Sequence, residues 1–138
     1  EENMDNCIFC KIVRGEIPSF KIYEDEKTYA FLDIADDYEG HTLVIPKAHC
    51  VNVLDCSGEV MAAVMATVQK VSRHYVEDCG YEGVDLFNCS GEAAQQSVFH
   101  FHMHIVPRKS GDGIDMFPAK PKKGTDMEKL CEKLALKS

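Results

Sequence analysis

The stretch Val98-Phe99-His100-Phe101-His102-Met103-His104-Ile105-Val106 decides how this chain is read. Its period is two: Phe99, Phe101, Met103 and Ile105 fall on one face of an extended segment, and His100, His102 and His104 on the other. The apolar set is what a strand needs to pack on a core. The polar set puts three imidazoles in a row, about 6.5 to 7 Å apart along the backbone. Half of the chain's six histidines therefore stand on alternate positions of one strand, which incidental polar residues on a solvent face seldom do. Three rings along a straight strand span too far to converge on one metal ion, whose bonds to imidazole are about 2 Å. At most two can be ligands, so at least one is left for chemistry. A neutral imidazole near pH 7 is a nucleophile and a proton acceptor, and a protonated one pairs with phosphate.

Immediately upstream, Ser90-Gly91-Glu92-Ala93-Ala94-Gln95-Gln96-Ser97 is small and polar and ends where the strand begins. A loop of this kind can aim backbone N–H groups and the Ser97 hydroxyl at an anion. Near the N-terminus, Cys7-Ile8-Phe9-Cys10 is one half of a zinc site, since thiolates two residues apart in a turn bind as a pair. His49 and His100 are the best candidates to complete a tetrahedron, with Cys50 and Cys56 as rivals near His49. A closed four-ligand site is structural and would tie the N-terminal segment to the sheet.

The remaining elements fit around these. Residues 20–23 and 28–33 read as strands joined by the charged turn Glu24-Asp25-Glu26-Lys27, and Thr42-Leu43-Val44-Ile45, ended by Pro46, as a buried strand. Residues 84–89 form a further strand. Between 57 and 79, Val60, Val64, Val68, Val71 and Tyr75 recur at helical spacing, widened by Met61 and Met65, with Ser57 as N-cap and Gly80 at the C-terminal cap. A Lys/Gly/Pro-rich connection over 109–124 leads to a short final helix with Thr125 as its N-cap. Five strands and two main helices in this order predict an α+β fold with a mostly antiparallel sheet. The 138 residues suit one domain, with a core over about 6–108 and an extension over 109–138.

Composition narrows the function. With 15 basic against 23 acidic side chains the formal charge is −8, a field that repels nucleic-acid backbones but tolerates a small nucleotide in a local pocket. No apolar run approaches the roughly 18 residues of a membrane span, and Glu1-Glu2-Asn3-Met4 does not resemble a signal peptide. The expectation is a cytoplasmic protein with neither nucleic-acid nor membrane partners. Its seven cysteines, an odd number, then read as reduced thiols or metal ligands rather than a disulfide framework. His41 is expected to brace the sheet and the Asp36-Asp37 pair to lie in a solvated loop.

Taken together, these residues resemble the histidine triad (HIT) family. His100-Phe101-His102-Met103-His104-Ile105-Val106 is similar to its H-x-H-x-H signature followed by two apolar residues. The resemblance runs from about Cys7 to Pro107. It includes Phe9-Cys10-Lys11-Ile12-Val13-Arg14-Gly15-Glu16-Ile17-Pro18, Ala30-Phe31-Leu32-Asp33-Ile34, Gly40-His41-Thr42-Leu43-Val44-Ile45-Pro46-Lys47 with His49 two residues on, and Gln96-Ser97-Val98-Phe99. The pattern is closest to the Hint-like branch with an N-terminal Cys-x-x-Cys.

That resemblance implies a nucleotide hydrolase or transferase acting at the α-phosphate of purine nucleotides, nucleoside phosphoramidates in particular. His102 would be the nucleophile that takes the nucleotidyl group, and His104 would contact the α-phosphate. Gln96, Ser97 and Val98 would bind phosphate and help the leaving group. Asp33 would hold the ribose hydroxyls, Phe31 and Ile34 would flank the base, and Asn88 would sit near the phosphates. Structural zinc would lie on Cys7, Cys10, His49 and His100, and two chains would pair into a homodimer with one continuous sheet. A diadenosine polyphosphate hydrolase and a zinc-stabilised nucleotide-binding module without turnover are the alternatives. Two departures stand out: Gln95 occupies a position where many members have Gly, and the tail from Lys109 does not match the short Hint terminus.

Overall fold

The computed structural model of the chain describes residues 4–137. Its five strands, β1 (Lys21–Glu24), β2 (Thr28–Leu32), β3 (Thr42–Pro46), β4 (Gly83–Phe87) and β5 (Met103–Arg108), form one sheet in the order β1-β2-β3-β5-β4. Every neighbouring pair is antiparallel. Helices α1 (Ile8–Val13), α2 (Gly58–Asp78) and α3 (Met127–Leu134) complete it. The predicted α+β class and antiparallel sheet are what the chain adopts.

The two central strands are buried on both faces, which is why β2 and β3 read as unbroken apolar runs rather than alternating ones. Ala30, Val44 and Ile105 point to α2 and meet Val64, Val68, Val71, Tyr75 and Phe101. Tyr29, Phe31, Leu43 and Ile45 point the other way, onto Phe9 and Ile12 of α1 and the two cysteines of the N-terminal motif. Each such aliphatic side chain, once buried, contributes roughly 1.5–3 kcal/mol. Two hydroxyl pairs fix α2 against the sheet: Thr28 Oγ1 with Thr67 Oγ1 at 2.6 Å and Thr42 Oγ1 with Tyr75 OH at 2.7 Å. The Ser57 hydroxyl accepts from Val60 N as N-cap, and Gly80 turns the chain at φ 86°. Of the expected stripe on α2, Val64, Val68, Val71 and Tyr75 are buried, Val60 is half-buried, Met61 packs partly against the core and Met65 is exposed.

Strands β1, β2 and β4 are each displaced by one or two residues from the expected 20–23, 28–33 and 84–89, and three further differences matter more. The histidine strand enters the sheet only at Met103, not at Val98. In the β3–β5 register Val44 faces Met103, so Pro46 would come opposite Phe101. Pro46 has no N–H to give a ladder, and its carbonyl is taken by the His100 ring at 2.8 Å. The segment before Met103 therefore stays outside the ladder, with bends at Val98, Phe99 and His100. The final helix is capped by Asp126 rather than Thr125, with the carboxylate accepting from Lys129 N at 3.2 Å. Residues 8–10, expected as a turn, are the first half of α1.

The cysteine expectation needs a larger correction. Cys50 and Cys56 form a disulfide with their Cα atoms 5.2 Å apart, closed by a tight turn between them. They are thus no rivals for the metal. Cys7, Cys10, Cys79, Cys89 and Cys131 are in no disulfide among the described residues.

Candidate active site and metal centre

Two groups of functional side chains flank the histidine segment. On one side, Cys7 serves as N-cap of α1 and its sulfur accepts from Cys10 N at 3.3 Å, which turns both sulfurs the same way. His49, after β3, and His100 come to meet them. Cys7 Sγ lies 3.3 Å and Cys10 Sγ 3.5 Å from His100 Nδ1; Cys10 Sγ lies 3.3 Å and His100 Nδ1 3.1 Å from His49 Nδ1. All four ligand atoms lie within 4.8 Å of one another. A tetrahedron built on bonds of about 2.0–2.3 Å has edges of roughly 3.4–3.8 Å, so a donor set of this kind and size could hold a zinc ion. His100 is fully buried and gives its Nε2 proton to Pro46 O, which leaves Nδ1 as the ligand nitrogen. Burial pushes its pKa down to about 4 despite that hydrogen bond, so the ring is neutral, as a ligand must be.

On the other side lies a cavity of about 360 Å³ between α1, the end of β2 and the histidine segment. Phe31, Asp33, Ile34, Ser97, Val98, His102 and His104 all line it, together with Phe9, Ile12, Ile17 and Leu43. The apolar wall suits the flat face of a base; the polar residues gather at the histidine end. His102 Nδ1 donates to His100 O at 2.8 Å. This sets the tautomer and leaves the Nε2 lone pair for the cavity. Burial, partly offset by that hydrogen bond, holds the His102 pKa below its ordinary value. His104 is pushed down to about 3, by burial first and then by the adjacent His102 and His41. The rings of His102 and His104 are 4.9 Å apart, and Phe87 stacks on His104 at 4.2 Å.

Asn88 and Gln96 stand behind the cavity rather than on it. Asn88 Nδ2 donates to His102 O at 2.8 Å and steadies the backbone at His102. Gln96 is buried: its Nε2 donates to Val51 O and Val98 O, and its Oε1 accepts from Gly91 N and Asn52 Nδ2. The side chain is a strut of the loop. Gln95 holds φ at 69°, a left-handed conformation that costs an ordinary residue about 1 kcal/mol or more and glycine almost nothing.

One part of the site was read from sequence only as bracing. His41 Nδ1 donates to Asp37 Oδ1 at 2.7 Å and lies 3.7 Å from Asp33 Oδ2, while its Nε2 shares a proton with His104 Nδ1 at 2.9 Å. Burial alone would raise the Asp37 carboxyl, but the hydrogen bond and charge of His41 hold it below the usual carboxylate range. Asp37, His41 and His104 thus form a line of exchangeable protons leading to the cavity. The signal available was the spacing of Asp37 and His41 at four residues; their meeting with His104 depends on β3 pairing with β5, which spacing does not reveal.

Residues 14–111 match the family model of the HIT domain. The chain belongs to the HIT family. Among curated relatives, this HIT protein is 50% identical over 111 residues to the Hit protein of Bacillus subtilis, covering 80% of this chain and 77% of that one. It is 37% identical over 132 residues to the adenosine 5'-monophosphoramidase of Candida albicans, covering 91% and 84%. The crystal structure of a zinc-bound histidine triad family protein from Mycobacterium smegmatis superposes on this HIT chain with a TM-score of 0.78 at 41% identity, covering 83% of each. No helix among the described residues is long and apolar enough to cross a membrane.

Proposed function

We propose that this HIT protein hydrolyses, or transfers the nucleotidyl group of, purine nucleotides at the α-phosphate, with nucleoside phosphoramidates as its substrates and His102 as the covalent nucleophile. The observation that carries this reading is the hydrogen bond from His102 Nδ1 to His100 O, which presents an unprotonated Nε2 to the cavity. Similarity to an adenosine 5'-monophosphoramidase supports the substrate class.

Attack by Nε2 forms a P–N bond as the bond from phosphorus to the leaving amine breaks. Water then displaces the histidine and releases the nucleoside monophosphate. Splitting one displacement into two in this way is the usual gain of covalent catalysis. Charge builds on the non-bridging oxygens in each step, where His104 and the Ser97 hydroxyl, both on the cavity wall, can donate hydrogen bonds. The Asp37–His41–His104 line supplies His104 with the proton that such donation needs. Asp33 would take the ribose hydroxyls, and Phe31 and Ile34 the base. Zinc on Cys7, Cys10, His49 and His100 would supply folding energy and fix the start of the histidine segment. Pairing of two copies into one sheet needs a free edge strand, and both β1 and β4 offer one.

The test is a rate comparison between an adenosine phosphoramidate and a diadenosine polyphosphate over pH 4 to 8. The phosphoramidate should be cleaved faster. Its kcat/KM should be level above pH 6.5 and fall in acid with a midpoint below 6.5, because protonation of Nε2 removes the attacking lone pair and the folded pKa is depressed. The same depression means that the unfolded chain binds more protons below pH 6.5, so stability also declines on acidification. Circular dichroism at each pH separates the two effects. A preference for the dinucleotide would replace the substrate class, and turnover of neither would leave a binding module.

A further inference from the structure

The Cys50–Cys56 disulfide lies between the candidate metal centre and the phosphate-side loop, and it closes a turn whose other local anchors are hydrogen bonds. That turn is bonded to the loop over 90–97 at three points. Val53 N donates to Ser90 Oγ at 3.0 Å, Asn52 Nδ2 to Gln96 Oε1 at 3.3 Å, and Gln96 Nε2 to Val51 O at 2.7 Å. Gln96 passes the constraint on, since its Oε1 also accepts from Gly91 N at 2.8 Å. Cys50 O accepts from Phe101 N at 2.8 Å, between the first two triad histidines. Three of the bonds that hold the loop from outside therefore run through residues enclosed by the disulfide, beside the one that Ser90 Oγ donates to Asn88 Oδ1 at 2.6 Å.

We propose that Cys50 and Cys56 are a redox modification site whose oxidised form holds the nucleotide loop closed, and whose reduction by a dithiol loosens it. The step balances: the dithiol gives two electrons and two protons, the S–S bond breaks to two thiols, and the reductant is left as a disulfide. Cys50 is half-buried while Cys56 is buried, so the incoming thiolate reaches the Cys50 sulfur and Cys56 leaves. The turn does not dissolve on reduction. The Asp55 carboxylate still accepts from Val51 N and Asn52 N at 2.9–3.1 Å, but these bonds are exposed and individually weak. The effect is accordingly graded. If the ordered loop falls to between a third and a tenth of the population, nucleotide affinity weakens by about three- to tenfold.

This regulation rests on the nucleotide reading of the site, and the experiment keeps the two apart. Alkylation of the denatured, unreduced zinc-loaded protein should label five of its seven cysteines. After dithiothreitol, two more should label, the amides of Val53 and Gly91 should exchange faster, and AMP should bind about three- to tenfold more weakly. The double variant Cys50→Ser/Cys56→Ser needs no reductant, so zinc stripped by dithiothreitol does not enter; it should match the reduced protein and not respond to it. Seven labelled cysteines at the outset, or equal exchange and affinity in both states, overturn the proposal. So does a redox response that persists in the double variant. AMP binding in neither state overturns the nucleotide reading and this regulation with it.

Discussion

His102→Ala should lower kcat by about 10⁴-fold or more while leaving AMP affinity within a few-fold. The size follows from the role. Removing a nucleophile forces direct attack by water on the phosphorus and leaves only the positioning and charge stabilisation that His104, Ser97 and the loop provide. On the proposed reading, ground-state binding would use other groups on the cavity wall, chiefly Phe31, Ile34, Leu43, Val98 and the Asp33 carboxylate. The His102 ring does make one internal hydrogen bond, to His100 O, so AMP titration serves as the check that the site still forms. Equal losses in kcat and in AMP affinity would mark His102 as a packing residue.

The second large effect is on stability. Changing both Cys7 and Cys10 to Ser should remove bound zinc and lower the melting temperature by about 10 °C or more, an effect on the order of 3 kcal/mol. Four ligand atoms meet there from α1, the end of β3 and the histidine segment. Without an ion, Cys7 at 1% and His100 at 0% exposure would leave buried polar groups around an empty centre. The same ligands set where His100 O sits, and His100 O receives the His102 proton. The variant should therefore also turn over more slowly, by less than His102→Ala does. Metal analysis together with thermal melts decides it: unchanged stability after zinc is lost would remove the structural role.

Much of this was legible before the fold. The period-two alternation over 98–106 separated the core face from the histidine face, and Phe101 and Ile105 do enter the core while His102 and His104 meet in the cavity. The spacing of Cys7 and Cys10, with His49 and His100, anticipated the cluster that could hold a metal ion because a two-residue gap already brings two sulfurs together. What pattern could not supply was tertiary competition. The strand start moved to Met103 because a proline carbonyl prefers an imidazole to a ladder it cannot complete. Helix α1, six residues long, is shorter than two turns and has no periodicity to detect. The Cys50–Cys56 bond went against the odd cysteine count, since counting speaks to a framework and not to one local pair. His41 looked like a brace until β3 and β5 paired and set it against His104.

The central claim is that the middle imidazole of the triad carries the nucleotidyl group in a covalent bond. Rapid quenching of zinc-loaded protein mixed with an adenosine phosphoramidate, followed by intact-mass and peptide mass spectrometry, reads this directly. The expected result is a transient gain equal to one adenylyl group, mapped to the peptide holding His102 and absent in His102→Ala. Steady release of AMP from the wild-type protein with no adduct at any quench time, or an adduct that survives in His102→Ala, would contradict it.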